Sequence, residues 1–436
     1  MAQGKENLLH YVWKHKMFPL GGFRIAGSQV VDVIDVGLHN ADAGPDFFNA
    51  KIKMGSQMWV GNVELHLKAS QWFLHGHDKD SAYDNVILHV VCEDDCEVRN
   101  SRGELIPQIV LTIPDTVKSN YEHLLSEDKY PRCFRLIPSL SQLMMHSWLS
   151  VLQTERLERK TSDIMKRLEN CNGSWEEAFF QTLARNFGFG VNADAFETWA
   201  KHIPLNAVDR HRDDLFQIEA IFFGQAGLLV ADVYNERRRS AVLADEYFQK
   251  LKEEYDYLAH KFSLEPMDGR LWRFLRLRPQ NFPTIRLSQL VGLYYNRKVS
   301  FSSVLECTSV DQLANSFQTQ TTDYWQSHYV FGEQSDRNAK HLSKSSIDGL
   351  LINTVIPIIF AFGRYSSNEA LANRALDLME QLKAENNNIV RMWRECGLDV
   401  NSASDSQALI QLKTEYCDRK DCLRCRIGYH YLKKNE

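Results

Sequence analysis

The sequence predicts an α+β protein: an α/β unit with a mixed sheet, then a large all-α region, then a short cysteine-rich tail. Three observations carry this expectation. Short runs before residue 115 alternate apolar and polar residues with a period of two; long segments after residue 141 repeat apolar residues at helical spacing; and Cys417, Cys422 and Cys425 crowd the end of the chain. The implied boundaries are 1–125 for the α/β domain, 140–395 for the helical domain and 396–436 for the tail.

Glu6 to Met17 reads as an amphipathic helix, with Leu9, Val12, Trp13 and Met17 sharing a face. QVVDVIDV (Gln29 to Val36) is a strand. From Ala43 the chain reads AGPDFFNAKIKMGSQMWVGNVELHLK, two strand-like runs joined at Gly55-Ser56. In the second run Val63, Leu65 and Leu67 alternate with Asn62, Glu64, His66 and Lys68, so apolar groups face one way and polar groups the other. A turn or helix through Trp72, a polar loop HGHDKDSAYDN, the buried strand VILHVVCED and a last strand within Glu104 to Ile113 complete the unit. Beyond it, helices are expected over Leu143 to Leu168, Trp175 to Phe187, Leu215 to Val230, Ala241 to His260, Ile347 to Phe362 and Asn368 to Trp393.

The 436 residues carry a formal net charge of −5, so no global basic surplus marks a nucleic-acid binder and any polyanion contact must be local. No run of about 18 apolar residues and no leader pattern is present, which leads to the expectation of a cytoplasmic protein without a membrane partner. Nine cysteines at irregular spacing argue against a disulfide framework.

A polar strand face is ordinarily the wet side of an antiparallel sheet. This one orders a carboxylate, an imidazole and an amine, and a second carboxylate, Asp46, begins the preceding run. If the two runs pair, Asp46 and Glu64 converge on one divalent metal with His66 or Lys68 beside it. Glu6 or His10, on the first helix, is a further candidate to complete the site.

Pro45-Asp46, a strand, then Glu64-Leu65-His66 resembles the PD-(D/E)xK phosphodiesterase superfamily over the first ~100 residues, as does the order of elements. That resemblance implies a restriction-endonuclease-like fold in which Asp46 and Glu64 hold Mg²⁺ or Mn²⁺. It further implies that His66, at the usual lysine position, or Lys68 assists the attacking water, and that the activity is hydrolysis of nucleic acid. The alternative is a noncatalytic nucleic-acid- or protein-binding module with a degenerate site. Over its full length the chain, through GPDFFNAKI, VELHLKASQW, HGHDKDSAYDNVILHVV and EYCDRKDCLRCRIG, also resembles a bacterial, Bacteroidetes-type family of unknown function, which implies no activity.

Three further patterns bear on chemistry. His75 and His77 in HGHDKD suggest the HxHxDH zinc motif, but Lys79 and Asp80 break its register, so the loop is expected to cap a helix near the mouth of the carboxylate site. His89 lies in an apolar strand and reads as a hydrogen-bonded core histidine. Cys417-x4-Cys422-x2-Cys425, with Cys396 or His430 as fourth ligand, suggests a zinc clasp or an iron–sulfur cluster. Arg278 and Arg286, with Arg273 and Arg276 around Asn281-Phe282-Pro283, and Arg424 in the tail are the candidate nucleic-acid contacts.

Overall fold

A computed structural model describes residues 2–18, 22–25, 29–40, 42–296 and 299–434. The chain forms two units, Met1–Leu140 with Leu412–Glu436, and Ser141–Gln411. Of the tail expected over 396–436, residues 412–436 belong to the first unit and 396–411 to the helical one. The tail helix (Arg426–Leu432) buries Ile427, Gly428 and Leu432, and Leu432 joins the core under the N-terminal sheet.

The first unit holds strands β1 (Phe23–Arg24), β2 (Val30–Asp35), β3 (Leu38–His39), β4 (Phe47–Met54), β5 (Gln57–Lys68), β6 (Val86–Glu93) and β7 (Gln108–Val110). They run in the order β1-β2-β4-β5-β6-β7, with β3 beside β4. β6 is parallel to β5 and to β7, whereas the earlier pairs are antiparallel, so the sheet is mixed. The parallel step requires a crossover, and the segment containing α2 (Gln71–Leu74) supplies it.

One face of the sheet is covered by α1 (Ala2–Lys14), which buries Leu8, Leu9, Val12 and Trp13 against Phe47, Ile52, Val63, Leu65, Leu88 and Val90. Trp13 Nε1 donates to Val36 O at 3.2 Å, satisfying the indole inside that core. Within β4 the alternation slips: Asn49 has φ 56° and the register shifts between Phe47 and Ala50, a bulge close behind Asp46. Gly37 faces this bulge with φ +88°, where a Cβ would lie 2.6 Å from Phe48 O. α3 (Asp115–Ser126) anchors the tail, because Asn120 Nδ2 donates to the carbonyls of Tyr431, Leu432 and Lys434 at 3.3, 3.2 and 3.0 Å.

The helical unit departs from the sequence expectation where a capping side chain cuts a long apolar pattern. Ala241 to His260 is two helices, Glu236–Ala244 and Glu246–Phe262, because Asp245 accepts from Tyr247 N and Phe248 N and starts the second. Asn387 does the same at Val390 N, dividing the Asn368 to Trp393 pattern. A small hairpin, His328–Val330 with Glu333–Gln334, also interrupts the helices. Lys344–Tyr365 is long and apolar enough to cross a membrane, unlike the expectation from the sequence, but 72% of its most apolar window is buried. Pro357 removes one N–H from this segment, and the carbonyl four residues earlier, Asn353 O, accepts instead from Asn186 Nδ2 at 3.1 Å.

Glu219 sits in the core of this unit, 1% exposed, accepting from Trp325 Nε1 at 2.6 Å and Thr322 Oγ1 at 3.1 Å. Burial pushes its carboxyl up to about 7 from 4.5. The folded state thus holds this proton more tightly than the unfolded chain, and the associated stability is full below about pH 4.5 and lost as pH rises through about 7. Glu219→Gln should remove a downward slope worth about 3 kcal/mol between those pH values. Urea melts of both proteins across pH 4–8 check this, and parallel pH profiles would contradict it.

Candidate metal centre

Strand β5 is where the wet-face reading fails. Its buried stretch is four consecutive residues, Val63, Glu64, Leu65 and His66, so both faces of the strand are closed there. Val63 and Leu65 enter the apolar core, while Glu64 and His66, 5% and 1% exposed, turn to the opposite face. That face is roofed by α2 and the loop after it, with Trp72, His77 and Tyr83 packed over the strand. A polar strand face closed in this way must find its partners inside the protein.

Histidines supply most of them. His66 Nδ1 lies 2.9 Å from His89 Nε2, and His66 Nε2 lies 3.0 Å from His75 Nδ1. Glu64 Oε1 is 3.2 Å from His77 Nε2 and 3.7 Å from His66 Nε2. Ligand atoms of His66, His75 and His77 all fall within 4.8 Å of one another. Neighbouring donors of a tetrahedral site with bonds of about 2.1 Å stand about 3.4 Å apart; the 3.0 Å between His66 and His75 suits one ion among the three imidazoles, and Glu64 stands beside two of them, 3.2 Å from His77 and 3.7 Å from His66. His89, behind His66, occupies the place of an outer partner that fixes the ring's orientation. Tyr83 stacks on His77 with ring centroids 3.8 Å apart.

Asp46 adjoins this cluster. Its backbone N–H donates to Glu64 Oε2 at 3.1 Å, and its own Oδ2 accepts from Leu65 N at 2.9 Å and lies 3.4 Å from His10 Nε2. The two carboxylates thus face the same side, each tied to backbone beside the other. Burial raises both: the Asp46 carboxyl goes up to about 6, opposed by the Leu65 N–H and reinforced by Glu6, and Glu64 rises against the pull of His77. Burial, then the charge of His89, drives the His66 imidazole down to about 2, and burial lowers His89 to about 4. Both rings are neutral at physiological pH, the form that binds metals. His75 is exposed and the Asp46 and His10 side chains are about one-fifth exposed, so the centre opens to solvent on these sides.

Of the residues singled out from sequence, Asp46, Glu64 and His66 come together, and Glu6 on α1 is close enough for its charge to act on Asp46 and His10. Lys68 is paired away from the cluster. Its ammonium lies 2.8 Å from Glu93 at the exposed end of β5, because Lys68 and Glu93 are register partners across β5 and β6. Asp80 caps the turn Ser81–Tyr83 through Ala82 N, as expected for that loop. His10, the alternative to Glu6 on α1, lies beside Asp46, whereas His75 and His77 reach the site outside any HxHxDH register. The signal for them in the sequence is the crowding of histidines before residue 90, not a spacing.

Cys417, Cys422 and Cys425 lie together in the first unit, whereas Cys396 follows the helix Asn388–Glu395 of the helical unit, and His430 is exposed. Arg278 is exposed beside the short turn Pro279–Asn281. Arg286 is corrected from a surface contact to a buried one, 7% exposed, donating to Gln289 Oε1 at 2.9 Å and Asn281 Oδ1 at 2.7 Å. The reason is that Pro283 starts a helix buried on all sides, which carries Arg286 inward. Arg424 is exposed and lies 3.2 Å from Asp421.

Zn²⁺ or Mn²⁺ at 100 times its dissociation constant should stabilise the wild type by about 2.7 kcal/mol through this centre. His77→Ala should lose most of that gain. Thermal melts with and without the ion check it, and equal gains in both proteins would remove the centre.

A family model described as "Protein of unknown function (DUF2851)" matches residues 6–388 of the chain. No curated protein and no solved structure matches it.

Proposed function

The chain belongs to that family, whose description assigns no chemistry, and we propose from the site itself that it is a metal-dependent hydrolase acting on phosphodiesters of nucleic acid. The observation that carries the reading is Glu64, a carboxylate 5% exposed on β5 beside His66 and His77, whose imidazoles cluster with that of His75. A divalent ion held there supplies charge neutralisation at a phosphoryl oxygen and brings a water toward hydroxide. Three nitrogens and one carboxylate suit Mn²⁺ or Zn²⁺ better than Mg²⁺, which keeps to oxygen ligands.

The protein's own groups divide the remaining work. Glu64 and the three imidazoles bind and shape the centre, with His89 holding the His66 ring. Asp46, fixed by Leu65 N–H and next to His10, stands on the open side, where it can orient a water and accept its proton. The phosphodiester class is supported by the order of elements: α1, β2, β4 preceded by Asp46, β5 with Glu64, a helical crossover and parallel β6. This is the order of the superfamily that Pro45-Asp46 and Glu64-Leu65-His66 resemble.

Purified full-length protein is expected to cleave labelled single- or double-stranded DNA or RNA in Mn²⁺ or Zn²⁺. Glu64→Ala and Asp46→Ala should lower the rate at least about a hundredfold, and His89→Ala, altering an outer partner, about 10–100-fold. Identical product formation by wild type and the Glu64→Ala and Asp46→Ala variants, or none by any under every ion, would refute the reading.

A further inference from the structure

Four cysteines from two distant stretches of the chain line one cavity in the first unit: Cys133, Cys417, Cys422 and Cys425. Cys133 lies in the turns after α3, where Leu136 N donates to Cys133 O at 2.9 Å. The other three hang on consecutive tight turns of the tail. Asp421 N donates to Tyr416 O at 2.8 Å, Lys420 N to Cys417 O at 3.1 Å and Cys425 N to Cys422 O at 3.3 Å, and Cys425 leads into the tail helix. Lys420 takes φ 57° to make this reversal. Gly428 lets the helix close on it, since a Cβ there would lie 2.0 Å from Cys422 O. The backbone thus brings three thiols to the cavity that Cys133 lines, with no three of the sulfurs within 4.8 Å of one another.

None of the four is joined in a disulfide. They are near enough for their charges to act on one another: burial first, then Cys425 and its neighbours, hold Cys133 far above the usual thiol range and push Cys417 up to about 12. Buried cysteines are often no more than small apolar side chains. That account explains one or two of them, but not a set drawn from Cys133 and a Cys-x4-Cys-x2-Cys tail into a single cavity that Arg132 also lines. Arg132 places positive charge beside Cys422, which favours a centre bearing several thiolates.

We propose that Cys133, Cys417, Cys422 and Cys425 form a four-thiolate centre for a thiophilic metal, an iron–sulfur cluster or, where the sulfurs draw together on binding, a zinc ion, that fastens the tail to the sheet-bearing unit. Each thiol gives up its proton to solvent as its sulfur bonds the metal. The fourth ligand is Cys133 rather than Cys396. The centre is separate from the imidazole cluster, and a tail too short to build its own core is held by it.

Full-length protein purified anaerobically without chelator provides the test. Its zinc, iron and acid-labile sulfide are measured, and its cysteines are alkylated and mapped by mass spectrometry before and after metal removal. The expected result is a set of four protected thiols, Cys133, Cys417, Cys422 and Cys425, that become reactive together when metal is stripped. Zinc with no visible absorption identifies a single ion; iron with matching sulfide and a visible band identifies a cluster. Cys133→Ser should lower the metal content of this centre at least tenfold and Cys396→Ser should leave it unchanged. The proposal is overturned if alkylation of the four is indifferent to stripping, or if Cys396→Ser releases the metal and Cys133→Ser retains it. Thiol protection in the wild type decides the matter even where Cys133→Ser does not fold, and it is blind to the fate of the imidazole cluster.

Discussion

The sheet-bearing unit is governed by the closure of both faces of β5. A strand with Val63 and Leu65 on one side and Glu64 and His66 on the other has no water left to satisfy the polar side once a roof is laid over it. The roof must therefore be polar underneath. His75 and His77 from the loop, His89 from the parallel neighbour β6, and Trp72 and Tyr83 as apolar walls meet that demand together. The same closure accounts for the raised carboxyls and depressed imidazoles, since burial is the largest cause of the shift at Asp46, Glu64, His66 and His89.

A cluster of imidazoles around a buried carboxylate is costly to maintain as a purely structural device. Among the described residues, His77 Nε2 is buried 3.2 Å from Glu64 Oε1 without a well-directed hydrogen bond. A cation between His77 Nε2 and Glu64 would convert that contact into coordination. The bulge at Asn49 belongs to the same construction: the register shift it produces lies between Asp46 and the regular part of β4, where β4 meets Val63 of β5.

The two units solve the burial problem differently. In the helical unit, Leu215–Gln225 and Pro283–Tyr295 are buried nearly all round, and their polar residues are absorbed by local pairs, Glu219 by Trp325 and Thr322, Arg286 by Asn281 and Gln289. Of the arginines read from the sequence as polyanion contacts, Arg286 is therefore already committed inside the fold. In the first unit, by contrast, the polar groups gather at one place and remain open at His75 and Asp46.

Local pattern alone determined the α+β class, the hairpin carrying Asp46 and Glu64, the helix Trp175–Phe187 and that the HGHDKD loop ends in a cap, because each depends on periodicity or on a side chain bonding a backbone two or three residues away; which aspartate caps, Asp80, it left open. It overran the breaks at Asp245 and Asn387, where an apolar pattern continues through a polar cap. Which histidines surround Glu64, that Lys68 is taken by Glu93, that Arg286 is interior, and that Cys133 meets the tail cysteines were decided by tertiary structure. Those pairings join residues far apart in the chain through strand register, a crossover and a returning terminus, and no short-range periodicity encodes the distance between them.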